Sequence, residues 1–458
     1  MAYTPPVPIR SSTAAPASSA AKQLARRIFL RTLEAVDPCA AVERRLSRVS
    51  HTLCCSARNY DLLQFPDLRV LAAGKAAHGM LAGLTTILPR ETKLLGVVSA
   101  PTSPVQPIDG FLYFVSGHPD PNEHSLLAGR AALELMRGCT PQTMVIVLLS
   151  GGASALMEEP LLSTLSLAEV RQFNRALVTC GAGIQEINTV RKHLSAVKGG
   201  RLAQAAYPAT VLTLAISDVP VGKETALASG PTLPDPTTSA DALNVIAKYS
   251  LAPHLPAPLL AWIESGQMPE TLKSCDPVFV NVQFELIAGM HELFHATHRI
   301  AEAEDCLAFC DNTTDDYPVD QAADSLLAQL ADLVCSNPQQ PVVLISDGEI
   351  KSPVTGDGLG GRNSAFVLNC VEQIAGKSIV VLSAGTDGMD GNSSAAGAVA
   401  DGHTLARAEQ LGFYPEDFLK RSDSFRFFDA LGDTVVTGPT GNNLRDLRLL
   451  IAFPTAQE

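Results

Sequence analysis

The chain has 458 residues, 46% of them hydrophobic, and a formal net charge of −13. That length exceeds one ordinary core and implies two or three domains. The acidic balance argues against nucleic-acid binding, which needs basic faces to neutralise phosphates, and no apolar run reaches the roughly 18–20 residues that cross a membrane. A small anionic substrate stays admissible, because its site needs only a few placed cations.

The first 33 residues lack Asp and Glu but carry Arg10, Lys22, Arg26, Arg27 and Arg31. Such a stretch suits a transit peptide. The plainer reading is a disordered Ser/Ala/Pro leader over residues 1–20, then an amphipathic helix through Val36 with Ile28, Leu30 and Leu33 on its core face. We adopt that one, with a cytoplasmic setting. The ten cysteines include no C-x-x-C, which indicates reduced, buried thiols.

Short Val/Ile/Leu runs then recur between helical stretches. Strands are predicted at Arg69–Ala73, Leu94–Val98, Leu112–Val115, Met144–Leu149 and Val211–Ile216, and later at Val278–Ile287, Cys306–Cys310, Val342–Ile345, Ile379–Leu382 and Leu447–Ile451. Continuous apolar strands alternating with helices mark an α/β fold with a largely parallel sheet covered on both faces. The prolines between Pro253 and Pro269 break regular structure, and a fresh β-α-β series is expected from Val278. The predicted domains are therefore 21–270 and 275–458.

Ligands of parallel sheets gather at the carboxyl ends of the strands. Gly74-Lys75-Ala76 follows the first strand, where a lysine beside a helix start suits a phosphate or carboxylate; alone, it is equally a solvated surface lysine. Ser150-Gly151-Gly152-Ala153-Ser154 follows the fourth strand with small residues and free amides suited to an anion, or to a tight turn. It is not a Walker A loop. Asn188, Arg191 and Ser195 fall at helical spacing, with Lys192 at the edge of that face; a charged solvent face is the plain alternative. Asp218 ends the next strand, placed to ligate Mg²⁺, to accept a hydroxyl proton, or to make a local Asx turn. The second half repeats the style in Asp347-Gly348-Glu349, Gly356–Asn363, Gly385–Gly391 and Thr437–Asn443. Loops of this kind suit phosphoryl transfer, which depends on positioning and charge neutralisation.

Gly74-Lys75-Ala76, Ser116-Gly117-His118-Pro119, Ser150-Gly151-Gly152, Asn188–Gly200, Ser217-Asp218-Val219 and Ser229–Thr232 with Asp235 together resemble the amino-terminal domain of the MOFRL-type (class II) glycerate 2-kinases. Asp347–Glu349, Gly358–Arg362, Thr386–Gly391, Ala395–Ala398 and Thr437–Asn443 resemble their smaller α/β MOFRL domain. The resemblance runs from about Ala21 to the end and implies a Rossmann-like first domain, ATP and Mg²⁺ as cofactors, D-glycerate as substrate, and a homodimer. It implies Lys75 and Arg362 as essential cations; Asp218, from its place at a strand end, is expected to complete the catalytic set or hold the metal. Substrate or phosphate contacts are expected from Ser150, Gly151, Gly152, Ser154, Asn188, Arg191, Gly358, Gly360 and Gly361. Nucleotide or metal contacts are expected from Glu349, Asp387, Asp390 and Thr440. The sequence departs from the family pattern at Ala153, Asp347, Lys223, Asn392–Ser394 and Asn442, which bears on substrate preference and metal placement more than on reaction class.

Three rivals come from other classes. His291-Glu292-Leu293-Phe294-His295 matches the zinc-peptidase pattern, although His298 lies too near to supply the third ligand in a common layout. Gly356, Gly358 and Gly361 satisfy the dinucleotide fingerprint in form, which would suit a hydroxypyruvate reductase, but they sit far past their strand. A non-catalytic sugar-acid-binding module is the third.

Overall fold

The computed structural model describes residues 20–217, 219, 224–442 and 444–454. They form two compact units, one spanning Pro38–Gly289 and the other joining the segment before Pro38 to the chain from Met290 onward. Asp218 and Lys223 lie outside the described residues, as does the leader over residues 1–19.

In the first unit a small antiparallel sheet comes first: β1 (Leu46–Val49), β2 (Thr52–Cys55) and β3 (Arg58–Asp61). The main sheet follows with β4 (Asp67–Ala73), β5 (Leu94–Ala100), β6 (Phe111–Val115), β7 (Thr143–Leu149), β8 (Thr210–Ile216) and β9 (Val282–Ala288). Its spatial order is β6-β5-β4-β7-β8-β9, every pair parallel. This is the doubly wound Rossmann order, whose direction reverses between β4 and β7. Both strands sit mid-sheet; β7 is buried along its whole length, each Val, Ile or Leu there contributing about 1.5–3 kcal/mol of apolar burial.

The second unit holds β10 (Leu307–Asp311), β11 (Val342–Asp347), β12 (Ile379–Gly385), β13 (Gly397–Asp401), β14 (Thr434–Val435) and β15 (Asp446–Ala452). The order is β10-β11-β15-β12-β13-β14. Here the sheet is mixed: β15 runs antiparallel between β11 and β12. Helices Val319–Ser336 and Arg362–Ile374 cover it through Leu326, Leu330, Phe366 and Val371.

Two expectations change. The run from Val278 does not open the second domain. Its first part is a short 3-10 turn, Pro277–Asn281, and its remainder is β9, paired from Val211↔Val282 to Ile216↔Ala288 as the edge of the first sheet. The compact units therefore part at Gly289/Met290. The amino-terminal helix, Ala20–Ala35, forms as expected, but it belongs to the second unit, where the buried Lys22 meets Asp433 at 2.6 Å and Asp401 at 3.5 Å. All ten cysteines are free; Cys39, Cys55, Cys306 and Cys370 are buried, whereas Cys275, Cys310 and Cys335 are exposed. Among the described residues, no helix is long and apolar enough to cross a membrane.

Candidate functional site

The reversal between β4 and β7 brings two of the glycine loops into contact. The Lys75 amide donates to the Gly151 carbonyl at 3.0 Å, Ser150 N–H donates to Ala73 O at 3.0 Å, and the Ala76 amide donates to Ser150 Oγ at 2.9 Å. Gly74 has φ +125°, and a Cβ there would collide with the hydroxyl and carbonyl of Ser150. Glycine is required on both counts. Lys75 is half-buried at this seam, just before the helix Ala77–Ile87, whose N-cap Ala76 supplies no side-chain acceptor.

Gly152, at φ +85°, starts the short helix Ala153–Leu156. A Cβ on it would lie 3.0 Å from His118 Cδ2, so the Ser116–Pro119 loop joins the same edge of the sheet. Ser154 Oγ lies 3.2 Å from Ser229 Oγ, which donates to Asn188 Oδ1 at 3.2 Å. Ala228 and Ser229 both hold left-handed backbone, φ 50° and 60°, a strain that non-glycine residues keep only where the surroundings enforce it. Lys75, Ser150, Gly151, Gly152, Ser154 and Asn188 are thus linked through one hydrogen-bonded set of loops.

The helix Ile184–Leu194 carries more cations, and most are matched. Lys192 pairs with Asp235 at 3.2 Å. Lys198, fully buried, pairs closely with Glu158, whose other oxygen accepts from Ser195 Oγ at 2.5 Å. Arg201 donates to the carbonyls of Lys192 and Glu270 at 2.7 and 3.2 Å. Arg191 is the exception. Its Nε is buried without a hydrogen-bond partner, and burial lowers its pKa, opposed only by the nearby charge of Glu158.

In the second unit, Arg362 begins the helix Arg362–Ile374. Its Nε donates to Asp446 Oδ2 at 2.5 Å, and its two terminal nitrogens each reach a Glu349 oxygen at 2.9 Å. Burial works against its charge, but Asp446 and Glu349 outweigh that and raise its pKa. The guanidinium is therefore fixed by two acids at the carboxyl edge of β11. Asp390 is buried and accepts from the amides of Gly361, Asn363 and Ser364 at 3.2, 2.9 and 2.9 Å, capping this helix in place of a local side chain. Burial raises its pKa even so.

Gly358, Gly360 and Gly361 pack close to Asp423, Ser424 and Asp390, respectively. Their smallness seats the loop that precedes Arg362. Asp387 Oδ1 accepts from Met389 N–H at 3.0 Å, while its carbonyl accepts from the Thr440 amide at 3.2 Å. Thr440 Oγ1 donates to Thr386 O at 2.5 Å, so these two loops are also tied together.

Sequence reasoning did not single out Glu158, Asp315, Arg445, Asp446 or Arg448. Asp446 and Arg448 stand two apart in β15, which puts both on one sheet face; an arginine inside a strand otherwise read as apolar was the available signal. Arg448 is completely buried and donates to the carbonyls of Asp347 and Gly348 at 3.1 and 2.7 Å. Asp315 holds Arg445 at 2.5 Å and accepts from the Glu349 amide at 2.8 Å.

The peptidase reading finds no support in these positions. His291, Glu292 and His295 are exposed on the helix Met290–Glu302, and His298 lies 3.4 Å from Glu302. Among the described residues, no three His, Cys, Asp or Glu side chains gather as a metal site.

Residues 24–264 match a family described as a domain of unknown function, DUF4147, and residues 342–446 match the MOFRL family. A D-glycerate 2-kinase of Thermotoga maritima is 34% identical over 93% of this chain and 97% of its own. An Agrobacterium vitis protein whose name carries a provisional assignment as hydroxypyruvate reductase is also 34% identical, over 94% of each chain. A crystal structure of glycerate kinase from T. maritima superposes with TM-score 0.80 at 34% identity, covering 94% of this chain and 99% of that one. With both family models matched and near-complete coverage of these relatives, the chain belongs to the MOFRL-type, class II glycerate 2-kinase family.

Proposed function

We propose that this chain transfers the γ-phosphoryl group of ATP to the 2-hydroxyl of D-glycerate, giving 2-phospho-D-glycerate and ADP. The observation that carries the reading is the seam of Gly74-Lys75 with Ser150-Gly151 at the sheet's reversal point, in a chain alike along nearly its whole length to a D-glycerate 2-kinase. ATP supplies the phosphoryl group, and Mg²⁺ accompanies it. Mg²⁺ is commonly held by one or two carboxylates together with substrate phosphates, so no protein cage of three ligands is required.

Lys75 and the amides of Gly151 and Gly152 are assigned to oxyanion charge, with Ser154 and Asn188 setting the shape of that loop cluster. Arg362, oriented by Glu349 and Asp446, supplies a second fixed cation, with Gly358, Gly360 and Gly361 allowing its loop to seat. Preorganised cations of this kind stabilise developing charge without reorganising during the reaction. Asp387 and Thr440 line a nucleotide loop, and Asp390 serves the Arg362 helix rather than a ligand. Asp218, outside the described residues, is assigned to the hydroxyl proton or to the metal. In the step itself, the glycerate O2 forms a bond to γ-phosphorus, the bond from that phosphorus to ADP breaks, and the hydroxyl proton leaves to a base.

Phosphorus NMR of purified protein with ATP, Mg²⁺ and D-glycerate tests this. A 2-phosphoglycerate resonance is expected. No phosphoglycerate alongside robust NADH oxidation with hydroxypyruvate would establish the reductase in its place.

A further inference from the structure

The cations around the helix Ile184–Leu194 form an uneven set. Lys192, Lys198 and Arg130 each have a carboxylate within ion-pair distance, Asp235, Glu158 and Glu159 respectively. Arg201 satisfies itself on two carbonyls. Arg191 has none of these, and among the described residues no hydrogen bond or ion pair reaches its guanidinium. Glu158, the one acid whose charge is felt at Arg191, is turned to Lys198 and to the Ser195 hydroxyl and makes no hydrogen bond to the guanidinium.

Arg191, Lys198 and Glu158 together carry one positive charge more than negative. Lys198 and Glu158 are buried and Arg191 is half-buried, so the surplus sits largely out of water. A buried donor without an acceptor costs on the order of 1–3 kcal/mol, so one that a native structure keeps calls for a reason, a bound ligand among them. The group is one anion short. Burial lowers the pKa of both Arg191 and Lys198, and the charge of Glu158 opposes this in each.

From this we infer that Arg191 binds the carboxylate of the acceptor acid, so that this one side chain makes the enzyme selective for a small hydroxy acid over a neutral polyol. A planar guanidinium forms paired hydrogen bonds with a carboxylate, which a lysine cannot copy. Its place fits the role: Asn188, one helical turn earlier, bonds to Ser229 and through it touches Ser154 beside the glycine loop. The identity of the acid rests on the kinase reading above; the unmatched cation does not.

The test uses Arg191→Gln and Arg191→Lys in the full chain. D-Glycerate is titrated calorimetrically without nucleotide, and KM is measured separately for D-glycerate and for ATP. Glycerol serves as the neutral acceptor, and melting temperatures are taken without ligand. Losing a charge-assisted contact predicts D-glycerate binding and KM weakened by about tenfold to a hundredfold in Arg191→Gln. The lysine variant falls between, KM for ATP stays within about twofold, and the preference for glycerate over glycerol collapses by the same factor. Melting temperature should hold or rise, since an unsatisfied buried charge has been removed. Unchanged glycerate affinity overturns the inference, as does a rise in KM for ATP instead, or a fall in melting temperature with glycerate binding intact. The two readings fail separately. Wild-type protein that binds D-glycerate but transfers no phosphoryl group removes the kinase while leaving Arg191 to be judged on binding, and wild-type protein that binds no D-glycerate ends the inference.

Discussion

Arg448 reaches the backbone of Asp347 and leaves its carboxylate alone. The buried guanidinium donates to the Asp347 and Gly348 carbonyls, whereas both Asp347 side-chain oxygens are buried with no hydrogen bond. Arg445, at 3.8 Å, is the only ion-pair partner of that carboxylate among the described residues. Burial therefore dominates and pushes the Asp347 pKa up to about 6, with Arg445 and Arg448 opposing and Asp315 adding to it.

This predicts an unusual pH dependence of stability. The folded pKa lies above the ordinary 3.8, so between about pH 4 and 6 the native state holds more protons than the unfolded one, and this group's contribution falls as pH rises. Above pH 6 the cost is about 3 kcal/mol. Asp347→Asn keeps the shape without the charge, so melting temperature should rise at pH 7.5 and its slope between pH 4.5 and 6.5 should flatten. An equal loss of stability at both ends of that range would show that the carboxylate makes a favourable contact.

Gly74→Ala is expected to open the seam between the loops after β4 and β7. The added methyl meets Ser150 in a backbone conformation that L-residues avoid. Together these cost about 2–4 kcal/mol. If the seam positions the reacting groups, turnover should fall to background while chemical denaturation still reports a cooperative, weakened fold. A variant with wild-type turnover would detach this seam from the chemistry.

Lys75→Ala and Arg362→Ala should each lower turnover about a hundredfold or more, the usual effect of deleting a preorganised charge. Their stabilities should differ. Removing Arg362 leaves Asp446 buried beside Glu349 with only the more distant Arg448, at 4.0 Å, as counter-charge, so Arg362→Ala should also melt earlier, and Arg362→Ala/Asp446→Asn should recover much of that loss without recovering turnover. Near-normal turnover in either single variant demotes that residue to a structural charge.

The strands of the first sheet were legible because β4, β5, β7 and β8 are covered on both faces and read as unbroken apolar runs. Four-residue strands such as β1, β2 and β3 carry no such run, and the small residues Gly397–Asp401 hide β13. A run also has no direction, so neither the antiparallel course of β15 nor the transfer of β9 to the first sheet could be read from it. The glycine loops were legible because their chemistry is local. Their partners were not: Asp446 lies 84 residues from Arg362 and Asp390 lies 29 from Gly361, separations that only the fold closes. Arg191 stood out by helical spacing, but only the fold shows that Glu158 turns to Lys198 and Ser195 and leaves Arg191 Nε without a partner.

The last prediction concerns Lys22. The helix Ala20–Ala35 packs on the helix Met290–Glu302 and on β12 and β13, and its first turn drives a lysine into the interior, 1% exposed. There Lys22 donates to Asp433 at 2.6 Å and to Thr404 Oγ1 at 3.1 Å. Further along the helix, Arg27 and Arg31 bind Glu304 at 2.7 and 3.1 Å, but on the surface, where such pairs contribute little. The buried contact should therefore dominate the electrostatic part of the docking. Breaking a buried pair from one side costs about 3–5 kcal/mol when the other charge is stranded. Asp433 is only partly stranded, since Arg407 also holds it at 2.8 Å, so Lys22→Met should cost less, about 2–3 kcal/mol. Asp433→Asn in the same background should restore part of that, giving a coupling above about 1 kcal/mol in a double-mutant cycle read by urea denaturation. Additive effects would mean that the helix is held by its apolar face, through Ile28 and Phe29, and that the lysine is carried in with it.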